Sequence, residues 1–245
     1  MFNTKNEAEK LSSLFHKSFR CKNCKDCEIQ SPLFRKLSEQ ELEMVNGSRY
    51  EVSYRSGETI IKQGTDNTHI ITLTSGFAKL YIEGLFNRNL ILRIAKPPEM
   101  FWGPGLNTDG RNHYTVTAVS DCTCCYMDGK LFQKLIGTNI GFANELIRKI
   151  NHHEILSYEK LISLTQKQVP GRVAEMLLYL QKEIYNANPF HLNLSRQDLA
   201  EMTGLSKESV IRILKEFKDE GLIESQGDSV EIRNYETLQR IAIAG

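Results

Sequence analysis

The chain has 245 residues, of which 40% are hydrophobic and 25% are charged, and its formal net charge is +1. This composition is that of an ordinary globular protein with about two domains, and it argues against a disordered or fibrous chain. No apolar run of about eighteen residues is present, and the polar start lacks the apolar segment of a secretion signal, so we expect a cytoplasmic protein with no membrane partner.

The N-terminal arm, residues 1–30, is polar and ends in a group of cysteines. Cys21, Cys24 and Cys27 have the spacing C-x2-C-x2-C, which brings three thiolates close enough to bind one metal ion or cluster. The six cysteines of a cytoplasmic chain are expected to be reduced, metal-bound or redox-active rather than paired in structural disulfides. A fourth ligand is still needed. Four thiolates suit zinc as well as an iron–sulfur cluster, and thiol chemistry without a metal is a further alternative.

Residues 31–136 are predicted to form a sensor domain. Ser38 and Glu41 have the spacing of a capping box, so a short helix should begin there. From about Val45 to Met127 short apolar runs are separated by glycines, which is typical of an all-β fold. This pattern predicts a small β-roll, a cupin-like jelly roll built as a double-stranded β-helix.

Residues 137–168 are predicted to form one long helix. Within it, seven positions recur at alternating steps of four and three, which is the period of a coiled coil. The helix would alternatively pack on its own barrel, but its seam is long and partly polar, so self-pairing fits the pattern better. We therefore predict a homodimer formed through this helix. The seam residues are Ala143, Ile147, Ile150, Glu154, Ser157, Leu161 and Leu164.

Residues 169–245 are predicted to form a DNA-binding domain. It opens with a helix from Arg172 to Tyr185, after a Pro-Gly break. Two short helical patterns then meet at Gly204, as a helix-turn-helix requires. Ser195 can cap the first of these helices and Ser206 the second.

The second helix of this motif has one apolar stripe and one polar face. Val210, Leu214 and Phe217 fall on the stripe that should be buried. On the polar face, Arg212 has two donors for guanine and Glu208 can accept from cytosine; alternatively, these two residues simply pair with each other on a solvated helix. The residues predicted to contact double-stranded DNA are Ser195, Arg196, Ser206, Lys207, Glu208, Ile211, Arg212 and Lys215.

A β-hairpin should follow the second helix. Residues 222–225 and 229–232 alternate in polarity around Gln226-Gly227-Asp228, which predicts the hairpin of a winged domain. The fold prediction is therefore α+β, with an N-terminal β-roll, a long dimerisation helix and a C-terminal winged helix-turn-helix. Residues 195–225 hold more acidic than basic side chains, so we expect the affinity for DNA to depend on dimerisation.

This order of elements resembles the Crp/Fnr family of bacterial transcription regulators. Residues 56–64 and 70–76 are similar to the opening of the family's cyclic-nucleotide-binding roll, and the helix-turn-helix is similar to the family's DNA-binding motif. The resemblance implies a regulator that binds a palindromic operator as a dimer and works with RNA polymerase. In the family, a Glu and an Arg four residues later read the TGA part of a half-site, and these correspond to Glu208 and Arg212.

Members of the family that bind cyclic nucleotides have a Gly-Glu pair followed by an Arg-Ser pair that holds the phosphate. Here Trp102 falls where the Gly would be, and Arg111 has no Ser beside it. Cyclic AMP is therefore not expected as the effector. A different small molecule bound in the roll, without any metal, is the alternative to metal-based sensing. The residues predicted for such an effector pocket are Met100, Trp102, Arg111 and His113.

Oxygen-sensing members of the family bind a [4Fe–4S] cluster through N-terminal cysteines and one cysteine on a later strand. By strand register, that later cysteine corresponds to Cys125, whereas Cys122 and Cys124 share the opposite face of the strand. The N-terminal spacing here is more compact than that of the best-known oxygen sensor. The ligands implied by the resemblance are Cys21, Cys24, Cys27 and Cys125.

The chain is predicted not to be an enzyme. A thiol oxidoreductase using Cys21 and Cys24 is the catalytic alternative, but no thioredoxin-like βαβ pattern surrounds this pair. The sequence has no other nucleophile with a matching base and no phosphate-binding loop motif.

Overall fold

The computed structural model describes residues 23–27 and 30–245. Contacts divide the chain into two compact units. The first comprises the described residues up to Ile82 together with Ile94–Ile155, and the second comprises Glu83–Arg93 together with Leu156–Gly245. The division at Ile155 falls inside the long helix, whereas the sequence patterns placed domain limits at the two ends of that helix.

Eight strands build two four-stranded sheets. The first sheet has the order β1-β8-β3-β6, and the second has the order β2-β7-β4-β5. This arrangement, with helices on either side of it in the sequence, confirms the predicted β-roll in an α+β fold. The strands are β1 (Tyr50–Tyr54), β2 (Thr59–Ile61), β3 (His69–Ser75), β4 (Ala78–Ile82), β5 (Leu90–Ala95), β6 (Glu99–Phe101), β7 (Thr115–Ala118) and β8 (Cys122–Asp128).

Strand β8 lies between β1 and β3 and pairs antiparallel with both. Cys125 is opposite Glu51 on one side and Thr72 on the other. The preceding residue, Cys124, is opposite Val52 and Leu73. Because side chains alternate along a strand, these two groups of residues lie on opposite faces of the sheet.

Two helices and the start of a third share a core with the roll. Helix α1 spans Glu39–Ser48 and begins with the predicted capping box of Ser38 and Glu41. Helix α2 spans Gly129–Thr138 and is capped by Asp128, whose side chain accepts from the N–H of Leu131 at 2.9 Å. The buried cluster that joins these elements is Cys24, Leu33, Phe34, Leu37, Val45, Ile70, Met100, Met127, Phe132, Leu135, Phe142 and Leu146.

The long helix, α3, spans Ile140–Gln166. The predicted start at Gly137 is wrong, because Gly137 and Thr138 belong to α2. Asn139 separates the two helices: its backbone is extended, and its side chain accepts from the N–H of Phe142 at 2.9 Å. Neither α3 nor any other helix in the described part of the chain is long and apolar enough to cross a membrane.

The second unit begins its helical domain with α4 (Val169–Tyr179), which continues as a wider π-helical turn over Leu180–Tyr185. The predicted start at Arg172 is wrong by three residues, because Pro170 lies in the first turn, where its missing N–H has no helical partner to lose. One apolar face of this helix is buried, and it consists of Val173, Met176, Leu177 and Leu180.

Helices α5 (Arg196–Thr203) and α6 (Lys207–Asp219) form the helix-turn-helix. The predicted hairpin consists of β10 (Ile223–Gln226) and β11 (Ser229–Ile232). Two elements of this C-terminal domain were not predicted: β9 (Phe190–His191), which adds a third strand beside β11, and α7 (Tyr235–Ala244), which packs against α4.

Candidate DNA-binding helix and cysteine pocket

The boundaries of α5 and α6 are fixed by local hydrogen bonds. Ser195 and Asp198 form a complete capping box at the start of α5. Gly204 ends α5 in the left-handed conformation, with φ 63°, which glycine adopts without steric cost. Ser206 then accepts from the N–H of Ser209 at 3.2 Å and caps α6. These caps and the turn are the ones that the sequence predicted.

Helix α6 buries one stripe and leaves the other face in solvent. Val210 and Phe217 are buried as predicted, but Leu214 is only half-buried. Ile213, at the i+3 position from Val210, takes its place in the core. Five of the predicted DNA contacts form one exposed surface on this helix: Lys207, Glu208, Ile211, Arg212 and Lys215.

The two predicted base-reading residues are not paired with each other in the structure. Arg212 Nη1 donates to Glu216 Oε1 at 2.7 Å, one turn towards the end of the helix. A hydrogen bond from its own backbone N–H and another from Ser206 lower the pKa of Glu208. Glu208 is therefore held as an ionised acceptor at the positive end of α6. The DNA contacts of both residues remain predictions, as do those of Ser195 and Arg196 on α5.

The wing is joined to α6 by a lysine. Lys218 Nζ donates to the carbonyl of Ser225 in β10 at 2.9 Å. The hairpin turn contains Gly227 with φ 59°, in the left-handed region that such tight turns use. The wing therefore has a fixed attachment to the end of the exposed helix.

Three of the predicted metal ligands line a single pocket in the first unit. Cys24 and Cys27 come from the arm, and Cys125 comes from β8. The pocket volume is about 390 Å³, including its solvent-open mouth. The other lining residues are Gln30, Ser31, Phe34, Arg49, Glu51, Thr72 and Thr74. Cys21, the fourth predicted ligand, lies outside the described residues.

Arg49 brings a positive charge to this pocket, although no sequence motif marks this residue. Its Nη1 lies 4.0 Å from the Sγ of Cys125 and 3.2 Å from Glu51 Oε1. Asn46 accepts from both Arg49 Nε and the backbone N–H of Cys24. Burial by itself lowers the pKa of Arg49, but the hydrogen bond to Cys125 and the charges of Cys24 and Cys125 raise it overall.

The other two cysteines of β8 face the opposite side of the sheet. Cys122 and Cys124 are buried, with 3% and 0% of their surface exposed. None of the five cysteines in the described ranges forms a disulfide. Within residues 23–27 and 30–245, no three His, Cys, Asp or Glu side chains are arranged to hold a metal ion, although Cys24, Cys27 and Cys125 share a pocket.

The residues predicted for an effector pocket have different environments. Met100 is buried in the core, with 2% of its surface exposed. Trp102 stacks on His153 of α3, with ring centroids 5.2 Å apart. Arg111 Nη1 donates to the carbonyl of Gly64 at 3.0 Å, and His113 lies 3.0 Å from Asp109. Their role in binding an effector remains a prediction.

The predicted seam of α3 is largely in solvent. Ile147, Ile150 and Leu161 have 54%, 44% and 58% of their surfaces exposed. The packed residues near the start of the helix, Phe142 and Leu146, lie outside the seam. In a single chain, the central apolar residues of the seam are therefore exposed to solvent.

The fold and the exposed face of α6 define a class of proteins. In this class a β-roll is followed by a long helix and then by a winged helix-turn-helix. Family models support both parts. Residues 51–139 match the cyclic nucleotide-binding domain, and residues 171–241 match the Crp-like helix-turn-helix domain.

Relatives of known role extend this likeness over most of the chain. It is 26% identical over 195 residues to the CRP-like cAMP-activated global transcriptional regulator of Mycobacterium tuberculosis, covering 78% of this chain and 87% of that protein. It is 24% identical over 234 residues to the transcriptional activator protein FnrA of Stutzerimonas stutzeri, covering 91% and 93%. The structure of FixK2 from Bradyrhizobium japonicum is similar in fold, with a TM-score of 0.72, 22% identity and coverage of 79% and 96%.

The chain belongs to the Crp/Fnr family and is a DNA-binding transcription regulator of that type. Regulators of this family usually act as dimers.

Proposed function

We propose that this regulator responds to oxygen or to redox state through a [4Fe–4S] cluster bound by Cys21, Cys24, Cys27 and Cys125. One observation carries the proposal: two arm cysteines and one cysteine of β8, about a hundred residues apart in sequence, line the same pocket. The resemblance to oxygen-sensing members of the family gives the type of cluster and the fourth ligand.

The surroundings of the pocket fit a thiolate-bound group. Thiolates carry negative charge, and Arg49 places a guanidinium beside two of the cysteines. Phe34 supplies an apolar wall, and the hydroxyl of Thr72 can donate to sulfur, whereas that of Thr74 donates to the carbonyl of Thr123 at 2.9 Å. A bound iron–sulfur cluster would supply electron transfer and sensitivity to oxygen at this pocket. Zinc would use the same thiolates without redox chemistry.

The response would reach DNA through a homodimer formed by α3. Pairing of two α3 helices would cover Ile147, Ile150 and Leu161, which a single chain leaves exposed. The dimer would place two α6 helices on successive major grooves of a palindrome, one helical turn or roughly 34 Å apart. Glu208 and Arg212 would read the base edges, and RNA polymerase would be the partner at the promoter.

A second candidate is a regulator that binds a small molecule in the roll. It is favoured by the match of residues 51–139 to the cyclic nucleotide-binding domain and by the cAMP-activated relatives. Arg111 would have to release the carbonyl of Gly64 to meet a phosphate.

The test is anaerobic purification of the wild type, Cys24→Ser and Cys122→Ala, followed by absorption spectra and analysis of iron, sulfide and zinc. We expect a brown, air-sensitive chromophore in the wild type and in Cys122→Ala, and its loss in Cys24→Ser. Cys122 is the matched control because it lies on the other face of the sheet. Zinc without iron, or a colourless metal-free wild type, would reject the iron–sulfur proposal; the second result would direct the search to small molecules.

The dimer is tested by sedimentation of Ile147→Asp and of Arg148→Asp, since Arg148 is exposed outside the predicted seam. We expect Ile147→Asp to sediment as a monomer and Arg148→Asp to remain a dimer. Dimers in both variants would show that α3 does not form the interface.

A further inference from the structure

The C-terminal part of α3 contacts the segment that connects the two helices of the helix-turn-helix. Lys160 Nζ donates to the backbone carbonyl of Met202, in the last turn of α5. Leu164 approaches Gly204 so closely that a Cβ built on this glycine would lie 2.8 Å from Leu164 Cδ2. Lys160 and Leu164 are four residues apart, so they share one face of α3. This face therefore contacts α5 at the point where the chain turns into α6.

A second cation reaches the same end of α5. Arg172 of α4 donates from Nη1 to the carbonyl of Thr203 at 3.4 Å and from Nε to the carbonyl of Lys167 at 3.0 Å. The last carbonyls of a helix lack partners within the helix and carry partial negative charge, so positive side chains stabilise them. Lys160 and Arg172 thus tie the end of α5 to two different helices.

The lysine contact has an energetic cost. Burial lowers the pKa of Lys160 to about 8, although the negative charge of Glu175 acts in the opposite direction. Glu175 also accepts from Ser163 and from Lys167 Nζ, the latter at 2.8 Å. Because the pKa of Lys160 in the folded chain is below its ordinary value of 10.5, protonated Lys160 reduces stability at pH values below about 8. The reduction fades as the pH rises from about 8 towards 10.5. An apolar side chain would not have this cost.

We propose that Lys160 is a positioning residue for operator recognition: it fixes the end of α5, and through the Gly204 turn the recognition helix α6, to the long helix. The proposal rests on the proposed dimerisation through α3. In such a dimer, the Lys160 contact keeps two recognition helices at the separation that a palindrome requires, while each helix keeps its own reading face.

The experiment compares Lys160→Met, Lys160→Arg and Lys149→Met with the wild type. Methionine keeps the length of the side chain without a donor, arginine keeps the cation, and Lys149→Met makes the same change of charge elsewhere on α3. The DNA probes are the palindromic duplex that the wild type selects from a random pool and a duplex that holds one of its half-sites. Thermal unfolding is measured on the same samples.

We expect Lys160→Met to bind the palindrome about tenfold more weakly, equivalent to about 1.4 kcal/mol, with little change on the half-site. Its unfolding temperature should equal or exceed that of the wild type, since a buried charge is removed. Lys160→Arg should recover much of the affinity, and Lys149→Met should change binding to both duplexes equally and slightly.

Unchanged or tighter binding of the palindrome by Lys160→Met would overturn the proposal. An affinity loss on both duplexes that follows a lower unfolding temperature would also overturn it, because the role would then be structural. If the wild type itself shows no preference for the palindrome over the half-site, the proposed dimer fails. If the wild type prefers the palindrome and Lys160→Met keeps that preference undiminished, only the role of Lys160 fails.

Discussion

In the helix-turn-helix, the caps and the turn that define the two helices lie within residues 195–209. The residues that line the cysteine pocket, by contrast, come from four separate stretches of the chain. In the first region both N-caps, Ser195 and Ser206, accept a hydrogen bond from a residue three positions away. In the second, Arg49 and Cys125 are 76 residues apart and meet only because β1 pairs with β8. A substitution in the helix-turn-helix should therefore have a graded, local effect. A substitution in the cysteine pocket should affect the whole site.

The largest expected effect is at the pocket. Cys125→Ser should abolish the visible chromophore of anaerobically purified protein, because it removes the only thiolate that β8 presents on the pocket face. Cys124→Ala, the neighbouring change on the other face, should retain the chromophore at full iron content. Absorption spectra and iron analysis of both variants measure this, and equal loss in the two would mean that the face of the strand does not matter.

At the reading helix the effect should be intermediate. Arg212→Ala should weaken operator binding by about 1–3 kcal/mol and relax the preference at one base pair, because a two-donor contact to guanine is lost. Lys215→Ala provides the contrast: it should weaken binding to all sequences alike and reduce the salt dependence of binding. Titrations against the operator and its single-base variants separate the two patterns. An unchanged base preference in Arg212→Ala would contradict the assignment.

The cap of α5 should matter for stability more than for base reading. Ser195→Ala should lower the free energy of unfolding by about 1 kcal/mol, since the N–H of Asp198 loses its acceptor. Ser195→Asn, which restores a capping side chain, should recover most of this loss. Chemical denaturation monitored by helical circular dichroism gives the comparison, and a fully stable alanine variant would show that the cap is redundant.

The smallest effect should come from the exposed pair on α6. Arg212 and Glu216 are 2.7 Å apart, but their side chains are 59% and 46% exposed, so Glu216→Gln should change the free energy of unfolding by less than about 0.5 kcal/mol. Operator binding should tighten by less than about threefold, because Arg212 is released and a negative charge near the phosphates is removed. Weaker binding would indicate that Glu216 orients Arg212 for recognition.

This contrast also explains what the sequence could predict. The caps at Ser38, Ser195 and Ser206 and the turn at Gly204 depend on residues within a few positions, and all four are present. The assignment of Leu214 to the core was wrong because a stripe of period 3.6 passes equally well through Ile213. The order of roll, long helix and winged domain followed from changes of period along the chain.

The other features of the structure depend on contacts between residues that are distant in sequence, and no local pattern contains these contacts. Arg49 follows the end of α1 and has no neighbouring motif, so only the register of β1 against β8 brings it to Cys125. No motif distinguishes Lys160 from the other polar residues of the long helix, and only the fold places the carbonyl of Met202 beside it. Helix α7 is an exception: it was not predicted, although Leu238, Ile241 and Ala242 have the i, i+3, i+4 spacing of a helical face and Asn234 caps the helix.

Strand β8 separates the cysteine pocket from the buried side of the sheet, and adjacent residues of the strand face these two sides alternately. Odd and even positions along it face either the pocket of Cys125 or the buried side of Cys122 and Cys124. A deletion of one residue in this strand would exchange the two sides, placing thiols of the interior in the pocket and the pocket thiol in the interior. We therefore expect this strand to tolerate substitutions that suit the side each residue faces, but not insertions or deletions. Side-chain exchanges can then change the properties of the pocket, whereas a shift of the strand would destroy it.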